Sequence, residues 1–293
     1  MWDLEKITLR WLGVAGIELG CPGQRIVFDP YFTRVSLGKM LFGKIQSNPQ
    51  LVQRYLPAAD AIFITHSHFD HLMDAAEAAR QTGVVVYGSP NTCRILSAQG
   101  LPRKQVVEIL PGTVLDFSPI KITAFAQRQH QFVAGFGMRP LPQQLKFPLR
   151  ARDYDMDFGL SYLVECGSLR FLIEACLPPG EPGSVDILFA SPLNPGKNEI
   201  TTVRTFLGNY QPRVVIPIHC DDMWSPLESP VRGQLCPTGR LFPPLTRFDP
   251  RRFTDLVESL PGGTRVFLPE RLKVYNIGEI LTTLKKSRVG YDP

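Results

Sequence analysis

Histidine is scarce in this chain, five in 293 residues, and so is net charge: 32 basic against 27 acidic side chains leave +5. So mild an excess suits an anionic small molecule and argues against nucleic acid as a partner. No run of about eighteen apolar residues occurs, so no membrane-spanning helix is expected. Residues 1–6 carry Asp3 and Glu5 and no apolar stretch, so they do not read as a secretory signal. The six cysteines (21, 93, 166, 176, 220 and 236) contain no C-x-x-C and no regular framework. In a chain of this length they read as the reduced thiols of a cytoplasmic protein. Also missing are a G-x-S-x-G elbow, a P-loop, a solenoid repeat and any low-complexity tract. That removes the commonest serine-hydrolase and nucleotide-binding readings. What is present is ordinary for a globular protein, with 44% apolar residues and ample material for a core.

Three of the five histidines fall in one stretch, Thr65-His66-Ser67-His68-Phe69-Asp70-His71, which reads H-x-H-x-D-H. An apolar run at 61–64 precedes it and predicts a buried strand. Residues 72–80, rich in helix formers, follow it. The motif therefore sits on a strand-to-helix turn, the kind of loop on which rigid scaffolds build sites. In extended backbone His66 and His68 project to one side. The chain then turns, which brings Asp70 and His71 near a second point. This pattern suits two adjacent metal ions with nitrogen and oxygen ligands. A helix start alone would explain Asp70 as a cap but not three histidines beside it. The other two histidines also follow strand-like runs: His130 after 122–126, and His219 after 214–218.

On these residues the chain resembles the metallo-β-lactamase-fold metallohydrolases, and more narrowly the branch of ascorbate-6-phosphate lactonase-like proteins. The stretches that carry the resemblance are 10–16 (Arg10-Trp11-Leu12-Gly13-Val14-Ala15-Gly16), 26–30 (Ile26-Val27-Phe28-Asp29-Pro30), the H-x-H-x-D-H, His130, and 215–219 ending in His219. The resemblance implies an α/β fold, a four-layer αββα metallo-β-lactamase sandwich, in one domain over 1–293. It places the metals at one edge between the sheets. His66, His68 and His130 would hold one ion, and Asp70, His71 and His219 the other. Asp29 would support the site without ligating. The family carries a bridging Asp at the end of a later strand, where this chain has Cys176. Either Cys176 ligates as a thiolate, which we take as the expectation, or it is a buried thiol and the bridge is lost or supplied by Glu174.

The implied cofactor is a pair of divalent ions, zinc first, with manganese or iron as alternatives. The implied chemistry is hydrolysis by a metal-bound hydroxide, with Asp70 orienting the water and accepting its proton. An ester, lactone or amide of an anionic small molecule leads, ahead of a phosphodiester. A di-iron redox protein on the same scaffold usually carries a flavodoxin-like domain, for which this chain has no room. A metal-binding protein without hydrolytic activity stays as a further alternative, and a homo-oligomer is left open.

Elsewhere, paired strands are expected over 7–32. Residues 31–57 read as a surface helix and loop or as part of a substrate mouth. A strand at 84–88 and a helix at 90–98 follow, then a hairpin of 106–110 with 113–117 about Pro111-Gly112. The irregular stretch 131–158 reads as a lid, with Arg139, Arg150 and Arg152 as candidate anion contacts. Residues 159–174 form a hairpin, 198–210 a helix, and 220–248 an irregular pocket wall. A capped helix from Asp249, a strand at 264–268 and a helix at 277–287 close the chain.

Overall fold

Short apolar stretches broken by glycine turns fold back on one another at the start of the chain. They form β1 (Thr8–Gly13), β2 (Gly16–Cys21) and β3 (Gln24–Phe28), all antiparallel. The computed structural model describes residues 6–127, 138–174, 183–191, 199–237 and 245–286. After β3 the connections turn helical and the pairing parallel, because a parallel neighbour needs a long crossover. Two short helices, α1 (Leu37–Phe42) and α2 (Pro49–Tyr55), lead to β4 (Ala61–Phe63). Then come α3 (Phe69–Leu72), α4 (Ala75–Thr82), β5 (Val85–Gly88), α5 (Pro90–Ala98) and β6 (Val106–Glu108). With the late strand β16 (Val274–Asn276) they make a seven-stranded sheet of order β16-β1-β2-β3-β4-β5-β6.

The second sheet also has seven strands. Antiparallel β7 (Val114–Asp116), β8 (Ile120–Ala126), β9 (Leu160–Cys166) and β10 (Leu169–Glu174) lead into parallel β11 (Ile187–Ala190), β12 (Val214–Pro217) and β15 (Arg265–Val266). β11 and β12 are buried along their whole length, as strands covered on both faces must be. Their outer cover is α6 (Glu199–Tyr210) and α7 (Pro250–Ser259), which contribute Val203, Phe206, Tyr210, Phe253 and Val257 to a separate apolar cluster. A two-stranded ribbon, β13 (Leu235–Pro237) with β14 (Leu245–Arg247), stands apart, and α8 (Ile277–Lys286) follows β16 directly.

Aromatic side chains fill the space between the sheets. Phe63 of β4 meets Tyr162 of β9 edge to face at 5.3 Å, and Phe28 of β3 lies 5.7 Å from the same ring. The Tyr162 hydroxyl, which burial would otherwise leave unpaired, donates to the Ile64 carbonyl at 2.6 Å. This is the four-layer αββα arrangement expected from the sequence. Side chains ahead of a proline cap α5 and α7, the second as expected at Asp249. Ser89 accepts from the Thr92 amide ahead of Pro90, and Asp249 accepts from the Arg251 amide ahead of Pro250.

Two expectations need correction. β6 and β7 do not form a hairpin: they are the edge strands of different sheets, so the Pro111-Gly112 turn carries the chain from one sheet to the other. A Pro-Gly pair fixes a turn but not its partners. Here β6 finds β5 and β7 finds β8. The helix expected over 72–80 is two helices, broken at Met73 and Asp74. The buried Asp74 carboxylate is turned to the preceding loop. There it accepts from the Phe32 and Thr33 amides at 2.6 and 2.8 Å and from the Thr33 and Ser47 hydroxyls at 2.5 Å each.

Candidate metal centre

β4 delivers the histidine motif. The strand lies between β3 and β5, and its ladder continues through the Ile64 amide to the Tyr87 carbonyl at 2.9 Å. At Thr65 the chain leaves the sheet, and the Thr65 carbonyl accepts from the Leu160 amide at 2.7 Å, at the start of β9. The motif is thereby pinned to both sheets at once. All seven residues from Thr65 to His71 are buried. A turn this polar can be buried only because its groups are paired.

Asp29, one residue past β3, does much of that pairing. Its carboxylate accepts from the Thr65 amide at 2.7 Å, the Thr65 hydroxyl at 2.5 Å and His71 Nδ1 at 2.8 Å. With Nδ1–H committed to Asp29, His71 Nε2 is the free-lone-pair atom of the ring. It lies 3.6 Å from Asp70 Oδ2, and the same oxygen lies 3.0 Å from His219 Nε2. Asp70, His71 and His219 each offer a donor atom within 4.8 Å of the others. The rings of His66 and His68 stand beside them: His66 is 3.9 Å from His71 and 4.6 Å from His68, centroid to centroid. His219 Nδ1 is buried with no hydrogen-bond partner among the described residues.

Electrostatics sets these groups in the states that ligation needs. Burial, with His71, His68 and His219 nearby, pushes His66 well below the usual imidazole value. Burial likewise holds His68 down to about 4, against the opposing pull of Asp70. For Asp70, burial alone would raise the carboxyl, but the positive potential of His71 and the hydrogen bond from His219 reverse this and hold it well below the usual carboxylate range. For His71, burial pulls down, but Asp29 and Asp70 outweigh it and the value rises. Neutral His66 and His68 and an anionic Asp70 are what a divalent cation takes up without displacing protons. The raised His71 marks a spot where two carboxylates favour positive charge. On donor type, and for His66, His68 and Asp70 on protonation as well, these residues fit a metal ion.

Residues 24–153 match the model of the beta-lactamase superfamily domain. The chain is 38% identical over 129 residues to a UPF0173 metal-dependent hydrolase of Cupriavidus taiwanensis, covering 41% of each chain. It is 32% identical over 121 residues to a UPF0173 metal-dependent hydrolase of Herpetosiphon aurantiacus, covering 41% of this chain and 46% of that one. The match therefore spans under half the length of these curated relatives. Among solved structures, Igni18, a metallo hydrolase from Ignicoccus hospitalis, superposes with a TM-score of 0.56 at 16% identity, covering 92% of this chain and 97% of that one. The metallo-beta-lactamase fold protein YhfI from Bacillus subtilis gives 0.54 at 12%, covering 92% and 98%. Over 24–153 this chain is thus similar to the beta-lactamase superfamily domain, and its fold is that of the metallo-β-lactamase proteins.

As a metallo-β-lactamase-fold protein it places the remaining candidates unevenly. His130 and Cys176 lie outside the described residues, as does the 131–137 part of the expected lid. The described part, 138–158, is woven into the core by Leu141, Leu149, Ala151, Tyr154 and Met156, all buried. It reaches the motif at Asp155, whose carbonyl accepts from Ser67 Oγ at 2.7 Å and Asn91 Nδ2 at 3.2 Å. Arg139 pairs with the Asp155 carboxylate at 3.2 Å. Arg150 forms a backbone bridge to Lys44, and Arg152 is exposed beside Asp153 at 4.0 Å. Neither is brought to the histidines by any contact seen among the described residues.

The sequence reading missed three buried charged groups behind His219: Arg34, Asp221 and Arg271. It also missed four residues with positive φ around the site: Val14 (48°), Asp29 (44°), Arg34 (47°) and His219 (55°). Non-glycine residues hold such backbones only where their surroundings force them to. The Gly13-Val14-Ala15-Gly16 turn and the acidic pair after His219 were visible in sequence. Nothing local marked Arg34 or Arg271.

Proposed function

We propose that this chain is a metal-dependent hydrolase, working at the edge where β4 and β12 end. The observation that carries the reading is the convergence of Asp70, His71 and His219 within 4.8 Å, with two further imidazoles in contact. His66 and His68 would complete the nitrogen donors on one side, with His130 as their third member. Cys176 would join the Asp70, His71 and His219 set. Two divalent ions, zinc first, fit such donors, and when bound they would acidify a water and polarise a carbonyl oxygen.

The chain's own residues do the rest. Asp29 fixes the tautomer of His71, so Nε2 is the atom presented. Asp70, held anionic, can both orient a water and take its proton. Burial of the motif keeps bulk water from solvating these groups. We take residues 138–158 as one wall, through the contact of Asp155 with Ser67, and the segment after His219 as another. The substrate we favour is an ester, lactone or amide of a small anionic molecule, ahead of a phosphodiester. Three described cysteines, 21, 93 and 166, are buried thiols outside any disulfide, which suits a reducing, cytoplasmic setting. No helix among the described residues is long and apolar enough to cross a membrane.

The test is metal content of the purified protein together with a panel of lactone, amide and phosphodiester substrates assayed with added zinc, manganese or iron. We expect bound metal in the wild type, and loss of metal and turnover in His68→Ala and in His219→Ala while circular dichroism still reports the fold. Full turnover in either variant, or no turnover on any substrate by a metal-loaded wild type, overturns the reading.

A further inference from the structure

We propose that Asp221 is a positioning residue for His219, acting through the backbone of Val14. The inference rests on the metal-site reading above and goes beyond it, because Asp221 has no place in the ligand set.

His219 lies two residues past β12 and carries a φ of 55°. Its amide donates to the Val14 carbonyl at 2.7 Å. The amide of that same Val14 donates to Asp221 Oδ1 at 2.7 Å. One residue of the β1–β2 turn is thus gripped twice by the segment that carries His219, once ahead of the imidazole and once after it. Val14 also has a positive φ, 48°, and its carbonyl takes a second hydrogen bond from Trp11 Nε1 at 3.1 Å. Two strained backbones hold each other in place.

Asp221 is itself held from two other directions. Arg34 Nη2 donates to its Oδ2 at 3.0 Å and Arg271 Nη1 lies 3.4 Å from the same oxygen. Arg34 Nη1 continues to the Asp222 carbonyl at 2.7 Å. All three side chains are buried, with Asp221 wholly inaccessible. Arg34 comes from the loop after β3, Arg271 from the loop before β16, and Asp221 from the end of β12. The first sheet therefore fixes a residue of the second, at the point where His219 must meet His71 and Asp70.

The physical consequence is specific. Without the Asp221 carboxylate the Val14 amide loses its acceptor, and the turn is free to rotate its peptide. The Val14 carbonyl moves with it, and His219 loses the bond that keeps its backbone left-handed. A non-glycine residue released from that region relaxes to negative φ, which swings the imidazole away from Asp70. A merely structural ion cluster would instead lower stability and leave the affinity of the folded protein for metal alone.

A double-mutant cycle with cobalt(II) separates the two. Affinity is measured by competition with a chelator, at a temperature where circular dichroism shows each variant folded. Asp221→Ala, which removes the acceptor of the Val14 amide, should weaken cobalt binding about tenfold, the scale of lost outer partners. In a His219→Ala background the same substitution should cost less than about twofold, because the ligand through which it acts is gone. Should Asp221→Ala fail to fold, Arg271→Gln, which leaves Asp221 in place, carries the cycle with a smaller effect of the same pattern. An equal loss in both backgrounds, or no loss in either, overturns the positioning role and leaves the metal site standing. A wild type that takes up no cobalt overturns both.

Discussion

The turn at 65–71 and the turn at 219–222 do the same job by opposite means. Each follows a buried parallel strand, β4 or β12, and each presents imidazole to one point. The first is nearly self-contained. Four of its seven residues are His or Asp, and one outside carboxylate, Asp29, ties it down through three hydrogen bonds. The second contributes one histidine and is held by Val14, Arg34 and Arg271 from three other segments. A site written in one heptapeptide is legible as a motif. A site assembled by long-range contacts leaves no local pattern, although its geometry is as tightly set.

The comparison can be broken at its carboxylates. The largest loss of stability is expected from Asp29→Asn. It removes the charge facing His71 Nδ1 and turns an acceptor into a donor inside a fully buried pocket. Losing one partner of a buried charged pair costs about 3 kcal/mol or more, so the urea midpoint should fall sharply. Asp222→Asn is the counterpart in the second turn. There Oδ1 serves the Ser225 and Trp224 amides and survives the change; only the Ser225 hydroxyl bond to Oδ2 is lost. The expected cost is about 1 kcal/mol. Equal costs would mean that the two turns are held alike.

A second pair of substitutions tests whether the second turn depends on crowding as much as on charge. Gly13 and Gly112 have nearly the same backbone, with φ of 88° and 90°. A Cβ on Gly13 would lie 1.9 Å from Arg34 Nη2, whereas one on Gly112 would meet nothing within 4 Å. Gly112→Ala should cost only the conformational strain, about 1 kcal/mol. Gly13→Ala must also displace Arg34 from Asp221, and about 3 kcal/mol in total is expected from strain with overpacking. Thermal denaturation of the two variants measures the difference directly. A difference near zero would show that Arg34 yields without cost.

What the sequence made legible follows the same line. The strand at 84–88, the helix at Pro90–Ala98 and the H-x-H-x-D-H turn are local patterns, and the structure has them where they were expected. The Pro111-Gly112 hairpin failed because pairing is a long-range choice: the turn was legible, the sheet on either side of it was not. Met73-Asp74 looked helical by composition, yet the Asp74 carboxylate does more for the structure by satisfying the Phe32–Thr33 loop than it could in a helix facing solvent. The supporting role of Asp29 came from the family resemblance, and its three hydrogen bonds to Thr65 and His71 accord with it. Arg34 and Arg271 were not readable, since an arginine's partner is set by the folded chain and not by its neighbours in sequence.

The smallest effect expected concerns the arginines on the wall beside the first turn. Arg139 and Arg152 are equally exposed, each with 59% of the side chain accessible. Exposed ion pairs contribute little, so alanine at either should change stability by less than about 0.5 kcal/mol. They differ in what they reach. Arg139 pairs with Asp155, whose carbonyl accepts from Ser67 inside the motif. Arg152 stands beside Asp153, at the 4.0 Å limit of an ion pair. If an anionic substrate enters along this wall, Arg139→Ala should raise KM severalfold with kcat little changed, because a contact made equally in the ground and transition states shows in KM alone. Arg152→Ala should leave both constants as they are. The kinetics are to be run at two salt concentrations, since screening weakens the contribution of an exposed guanidinium. A KM effect at Arg152 and none at Arg139 would move the substrate's path away from Asp155 and the first turn.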